Sequence, residues 1–391
     1  MTSRPTVRLR RPVGPIIRRG HPWIYDQALG PVALAPGTIA TIVDGDGPVA
    51  TAMIDPDSPI RARVLDRDPA AVIDDAWLRR RAAAAARRRR LSAALDGTDA
   101  VRAVHGENDG LPGLTVDVYA GVAVVVFDGA AAAALWRPRW PQVKAGLVEG
   151  GIAISATWTR GVRGQRGPGL GEGAVAERLR IQEGPAQFDV DVRHGQKTGF
   201  FLDQRANRAR VAALAAGADV VNLCAYTGGF SVLAGLAGAT RVTSVDLAAP
   251  AIAAATEHWR MNGLAAASHE AVVADAFAFL EDAAARGRRW DLAIVDPPSF
   301  AASEAARPQA LSAYLRLNRL ALLATRPGGL LVSASCSSHV HLGDLRAVVA
   351  EAGLACERDV RVVEVRGADV DHPTLPAFPE GHYLQLLVVA V

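Results

Sequence analysis

From about residue 185 onward, the sequence repeats one unit: a short apolar run, a turn containing Gly or Asp, and a helical stretch. "ADVVNLCAYTGG", "ATRVTSVDL", "HEAVVADAF", "WDLAIVDPPSF" and "GGLLVSASCSS" are five such runs. Parallel strands are covered on both faces and joined by crossover helices, so they read as continuous apolar runs rather than as alternation. The rhythm predicts a doubly wound α/β sheet. Two further apolar runs, in "RVVEVRGADVDHPTLPAFPEGHYLQLLVVAV", leave no room for a helix between them. They are expected to pair as an antiparallel hairpin at the sheet edge, which makes seven strands with the last one antiparallel.

A chain of 391 residues exceeds one comfortable core, so about two to three domains are expected. Residues 1–75 hold short apolar alternations broken by Pro, Gly and Asp, such as "GTIATIVDGDGPVATAMID", the pattern of a small β-barrel. "DDAWLRRRAAAAARRRRLSAAL" reads as a connector helix with a solvated arginine face. It opens a small α+β middle module over 76–184, with one helical segment near Ala131–Leu147 and a Gly-rich loop, "RGVRGQRGPGLGEG". The α/β domain then spans 185–391.

Residues 1–90 carry 16 Arg against 9 Asp+Glu, although the whole chain is only +3. Phosphate neutralisation dominates non-specific nucleic-acid binding, so a basic front end suggests a polyanionic partner. No run of about 18 apolar residues is present, and the N-terminus lacks the apolar core of a signal peptide. Three cysteines cannot make a stapled framework. A cytoplasmic protein without a membrane partner or a metal site is expected.

In open α/β sheets, ligands sit beyond the carboxyl ends of the strands. The first strand leads into Gly228 and Gly229, which permit a tight turn, but the GxGxxG spacing of a pyrophosphate site is absent. The second ends at Asp246, where an acidic side chain meets ribose hydroxyls or caps the following helix. Asp275 at the third is either a cap or an adenine partner. Three polar groups at three successive strand ends suit a nucleoside cofactor without pyrophosphate. The fourth strand delivers Asp296 in "DPPSF", where two prolines fix the loop. The fifth delivers Cys336 in "SASCSSH", a polar setting for a reactive thiol; Cys224 and Cys356 lie in apolar patterns and read as core.

"HGQKTGFFLDQR", "NLCAYTGGFSV", "VTSVD", "DPPSF", "SCSS" and "DHPTLPAFPEGHYL" together resemble the bacterial 23S ribosomal RNA cytosine-5 methyltransferases. These join an N-terminal PUA domain to a Rossmann-like S-adenosylmethionine (SAM) methyltransferase domain. "RRGHPWIYDQAL" looks like the opening of the PUA domain, and "HGENDGLPGLTVDVYAG" like the middle module. The resemblance implies SAM as cofactor, held by Gln204, Asn222, Tyr226, Thr227, Gly228, Gly229, Phe230, Asp246, Asp275, Ala276 and Asp296. It implies ribosomal RNA as partner, met by Arg18, Arg19, Lys197, Phe201, Pro297 and Ser299. Cytosine C5 is a poor nucleophile until a thiolate adds at C6. Cys336 would be that thiolate, with Asp296 relieving charge on the N3/O2 side of the ring.

Lys197 is one of two lysines in a chain with 41 arginines, which suggests a compact point charge aimed at a phosphate or at the methionine carboxylate. Phe200 or Phe201 could stack on a base. Trp23 reads as barrel core and its neighbouring arginines as contacts. A homodimer is compatible with this reading. Ser299 stands where some cytosine-5 enzymes carry a second cysteine, and relatives that methylate a guanine nitrogen lack Cys336. Such an enzyme, or a non-catalytic RNA-binding protein of the same fold, is the alternative.

Overall fold

The computed structural model describes residues 4–165, 169–301 and 303–391, so 166–168 of the Gly-rich segment lie outside the described residues. The chain divides into two compact units. The first comprises residues 1–182, 189–202 and 370–381; the second comprises 183–188, 203–369 and 382–391.

The first unit holds two five-stranded sheets. One runs Thr6–Arg8, Ile39–Asp44, Gly47–Ile54, Ala62–Asp66, Trp23–Ile24 in spatial order, antiparallel except for the first pair. Its apolar positions, among them Ile42, Ala50, Ala52 and Ile54, form one core with Ile17 and Leu29. The other runs Leu170–Glu172, Ala156–Val162, Val122–Phe127, Leu114–Tyr119, Ala100–His105. Only the two ends of the Gly-rich segment expected as a loop join this sheet, with Thr159 opposite Leu170 and Thr157 opposite Glu172. Gly161 in one strand and Gly169 just before the other adopt positive φ.

The connector helix spans Asp75–Arg90 and starts where Asp74 accepts the Trp77 amide at 2.8 Å. Arg79, Arg80, Arg87, Arg88 and Arg90 are exposed, as a solvated arginine face requires, but Arg89 is only 3% exposed, bonded twice to Asp109 at 2.7 and 2.6 Å and to the carbonyls of Arg102 and Asp371. A fully satisfied guanidinium fork can be buried where a lone charge cannot. The alanines of this helix let it approach the helix Trp140–Glu149 closely. A Cβ at Gly146 would lie 2.5 Å from the Arg79 carbonyl. The single segment expected at 131–147 is two helices, Ala130–Trp136 and Trp140–Glu149, split by a turn around Pro138. Proline denies an amide to the preceding turn.

In the second unit, seven strands form one sheet: β1 (Asp219–Leu223), β2 (Arg241–Asp246), β3 (His269–Val273), β4 (Trp290–Val295), β5 (Thr325–Ser335), β6 (Arg361–Arg366) and β7 (Gln385–Ala390). Their order is β3-β2-β1-β4-β5-β7-β6. The first five are parallel and β7 runs against both neighbours. The hairpin expected at the edge is thus inserted strand-first, with β7 interior and only β6 at the edge. Helices α1 (Arg205–Ala212), α2 (Gly229–Leu236) and α3 (Ala249–Met261) cover one face; α4 (Ala276–Ala285), α5 (Arg307–Ala324) and α6 (Leu342–Ala355) cover the other. Alternation along each strand divides the core. Val221, Leu223, Ala293 and Val295 pack with Leu280, Leu317 and Val349, whereas Val220, Leu292 and Ile294 pack with Val211, Phe230 and Trp259. Each large buried side chain contributes about 1.5–3 kcal/mol of transfer free energy, which holds the strand ends in one plane.

Candidate active site

The turn after β1, "CAYTGG", is the most contorted stretch of the second unit. Cys224 and Tyr226 have φ of 57° and 47°, and Gly228, the N-cap of α2, has φ of 80°. A non-glycine residue at positive φ costs about 1–3 kcal/mol and persists only where neighbours impose it. Here the constraint is visible: the Tyr226 amide donates to Asp246 Oδ2 at 2.8 Å, and the Thr227 carbonyl meets His258 Nδ1 at 2.8 Å. A Cβ on Gly228 would fall 2.8 Å from that of Ala255.

Asp246 was open as ribose partner or helix cap. The N-cap of α3 is Ala248, and Asp246 Oδ1 accepts its amide at 2.9 Å. Two backbone bonds leave part of the carboxylate's roughly four acceptor sites for hydroxyl donors. Asp275 is the N-cap of α4, and its Oδ1 takes the amides of Phe277 and Ala278 at 3.0 and 3.1 Å. Burial, with Asp296, Asp246 and Asp275 adding their charges, pushes the Cys224 thiol up to about 12.

Asp296 follows β4, and Gln204 Nε2 donates to its Oδ2 at 3.0 Å. Gln204 is 3% exposed and is itself fixed by Asn207, whose amide donates to its Oε1 at 2.6 Å. Cys336 follows β5 directly, half-buried, with its Sγ 3.7 Å from the Pro297 carbonyl. Ser337 and Ser299 both donate to the Ala301 carbonyl at 3.2 Å. The "DPPSF" and "SCSS" loops are thus tied to each other at two points. The Tyr314 ring lies 4.9 Å from that of Phe300, the last residue of the "DPPSF" loop, and burial raises its hydroxyl.

The Asn222 side chain is 1% exposed and donates to Ser231 at 2.9 Å, in a buried chain that continues through Ser244 to His269. It holds α2 to the sheet rather than facing the crevice. The side chains of Phe230 and Ala276 belong to the cores on the two sheet faces. Cys356 is not in a strand but at the C-cap of α6, donating to the Arg319 carbonyl. Asn207, Ser337 and Tyr314 were missed. Asn207 had a signal, its spacing of three from Gln204 on one helical turn; the other two come together only through the fold.

Arg18, Arg19, Lys197 and Phe201 belong to the first unit. Arg18 pairs with Asp44 at 2.8 Å and Arg19 is exposed. The Lys197 ammonium sits 4.5 Å from the centre of the Phe201 ring. Trp23, expected as core, is half-buried and donates through Nε1 to Glu107 at 2.8 Å.

These groups fit a SAM molecule. Acceptors for hydroxyls and an amine are present at Asp246 and Asp275, and Thr227 Oγ1 is buried without a hydrogen-bond partner among the described residues. A nucleoside lacking phosphates suits a carboxylate-lined crevice, whereas a pyrophosphate would be repelled by it. Among the described residues, no helix is long and apolar enough to cross a membrane.

Residues 169–351 match the S-adenosylmethionine-dependent methyltransferase family, and residues 7–67 match the PUA-like domain. The chain is 37% identical over 404 residues to a ribosomal RNA large subunit methyltransferase of Deinococcus radiodurans, covering 98% of this chain and 97% of that one. It is 34% identical over 375 residues to ribosomal RNA large subunit methyltransferase I of Cronobacter sakazakii, covering 94% of each. A solved methyltransferase complexed with SAH superposes with a TM-score of 0.87 at 21% identity, over 99% of this chain and 100% of that one. A SAM-dependent methyltransferase from Streptococcus mutans gives 0.86 over the same shares.

Proposed function

Because the chain belongs to the family of ribosomal RNA large subunit methyltransferases, which are SAM-dependent enzymes with a PUA-like domain, we propose that it forms 5-methylcytosine in large-subunit ribosomal RNA. The observation that carries this reading is the Cys336 thiol beside the Pro297 carbonyl, one strand over from Asp296.

The target cytosine must leave its stack to reach such a site. The Cys336 thiolate adds to C6, and the π pair of the C5–C6 bond shifts through the ring to N3, which gains a proton from solvent and donates it as a hydrogen bond to the Asp296 carboxylate. Gln204 and the two prolines keep that carboxyl in one orientation. The turn around Gly228, with Asp246 and Asp275, would hold SAM, which would supply the methyl group to C5 and leave as S-adenosylhomocysteine. Loss of the C5 proton to a base then expels the thiolate, N3 gives up the proton it gained, and the ring is restored. Pro297 and Ser299 line the same loop and are assigned to the target base, and Lys197, Phe201, Arg18 and Arg19 to the RNA. We also infer a boundary near residue 75 between the PUA-like part and the middle module.

Cys336→Ala is expected to abolish methylation, and RNA containing 5-fluorocytosine should trap the wild-type protein covalently, seen as a shifted band on denaturing gels. Full turnover by the alanine variant, with no adduct from wild type, would sink the cytosine-5 reading and leave methylation of a base nitrogen.

A further inference from the structure

The loop from Asp191 to Gly199, in the first unit, is fastened by an arginine from another element. Arg160, on the strand Ala156–Val162, donates from Nε to the Val192 carbonyl at 2.8 Å. Its Nη1 reaches the carbonyls of Gly195, at 2.8 Å, and Lys197; its Nη2 lies 3.4 Å from that of Asp191. Four converging carbonyls are what a planar five-donor fork can serve and an ammonium cannot. From the other side, the Asp191 carboxylate accepts the amides of Arg193 and His194 at 2.9 and 2.8 Å, and Thr198 donates to the buried Asp117.

The backbone needs that fastening. Lys197 has φ of 51°, which a lysine adopts only when its surroundings impose it. Gly195 and Gly199 leave no room for a Cβ, which would meet the Asp191 carbonyl at 2.6 Å and Val190 at 2.5 Å. The loop presents basic side chains beside aromatic faces: Lys197 against Phe201, Arg193 with its guanidinium 4.9 Å from the Trp158 ring, and His194, 74% exposed. Cations next to ring faces match a single strand, whose phosphates and unstacked bases need both.

We propose that Arg160 is a positioning residue that preorganises the 191–199 loop as a clamp for the backbone of single-stranded RNA, with Lys197 as its principal phosphate contact. This rests on the chain being an RNA-modifying enzyme but not on which atom it methylates. Arg160 itself is spent on carbonyls, so its effect on RNA passes through Lys197.

The test is a double-mutant cycle on the full chain, reading affinity for a labelled oligocytidine strand across a salt series, with SAM binding followed by calorimetry. Lys197→Ala should weaken binding about fivefold and flatten the slope of log K against log salt by about 0.7, the value of one lost single-strand phosphate contact. Arg160→Ala should do the same, the double variant should be no weaker than either, and Arg160→Lys should fail to restore wild-type binding. SAM affinity should stay constant throughout. Multiplying effects, wild-type binding by Arg160→Lys, or loss of SAM binding in step with RNA binding would each overturn the proposal. If no 5-methylcytosine is formed but oligocytidine binding still follows Arg160, the clamp stands and the cytosine-5 reading falls.

Discussion

Asp109 shows how a single residue can hold a module together. It is fully buried, takes both terminal nitrogens of Arg89 and one of Arg88, and its Oδ2 also accepts the His105 amide at 2.7 Å. Burial alone would raise its pKa, but the two guanidinium groups outweigh that and hold the carboxyl below the ordinary carboxylate range. A folded-state pKa lowered in this way contributes stability that is present above the unfolded value, near 4, and is lost as pH falls below it. Asp109→Asn should therefore destabilise the first unit by about 3–5 kcal/mol at pH 7, because Arg89 is left buried without a counter-charge. The difference between variant and wild type should shrink in acid, as read from urea midpoints at pH 7 and pH 3.5. An equal gap at both would place the stabilisation in packing rather than in the ion pair.

At the scale of elements, the turn from β1 into α2 is fixed by what surrounds it. Gly228 combines positive φ with a Cβ position already filled by Ala255 of α3. Gly228→Ala should cost about 1–3 kcal/mol and displace the start of α2, so SAM affinity should fall by calorimetry while the methyltransferase unit still unfolds in one transition. Unchanged affinity would mean that this turn does not hold the cofactor. The buried chain from Asn222 through Ser231 and Ser244 fastens the same helix to β1 and β2. Its donors find partners within the chain, and it fixes the register of α2 in a way that apolar contacts alone do not.

On the scale of the whole molecule, the first unit is assembled from three separated pieces of chain, the last of them residues 370–381. Asp371 and His372 are buried in it: Asp371 Oδ2 accepts the Arg102 amide at 2.9 Å, its carbonyl takes Arg89, and its Oδ1 faces His372 Nδ1 at 2.7 Å. Phe378 lies 4.6 Å from the Trp23 ring. Replacing residues 370–381 by a glycine–serine linker should remove protection from hydrogen exchange at the Arg102 amide and around Trp23, although every strand of the sheets in both units would still be encoded. Retained protection there would show that the segment only decorates the surface.

The α/β repeat, the nearly continuous apolar strands and the carboxylates at strand ends are local patterns, so the sequence alone determined the sheet, its helices and the positions of Asp246, Asp275, Asp296 and Cys336 along it. Those positions follow from periodicity, which acts over a few residues. Tertiary structure alone decided which side chains share a space. It turned Asn222 inward, buried Arg89 against Asp109, set β7 inside β6, and sent Arg160 into a loop more than thirty residues away. Each of these rests on satisfying a buried donor, acceptor or charge with a partner remote in sequence. That requirement is met in three dimensions and leaves no periodic trace in the chain.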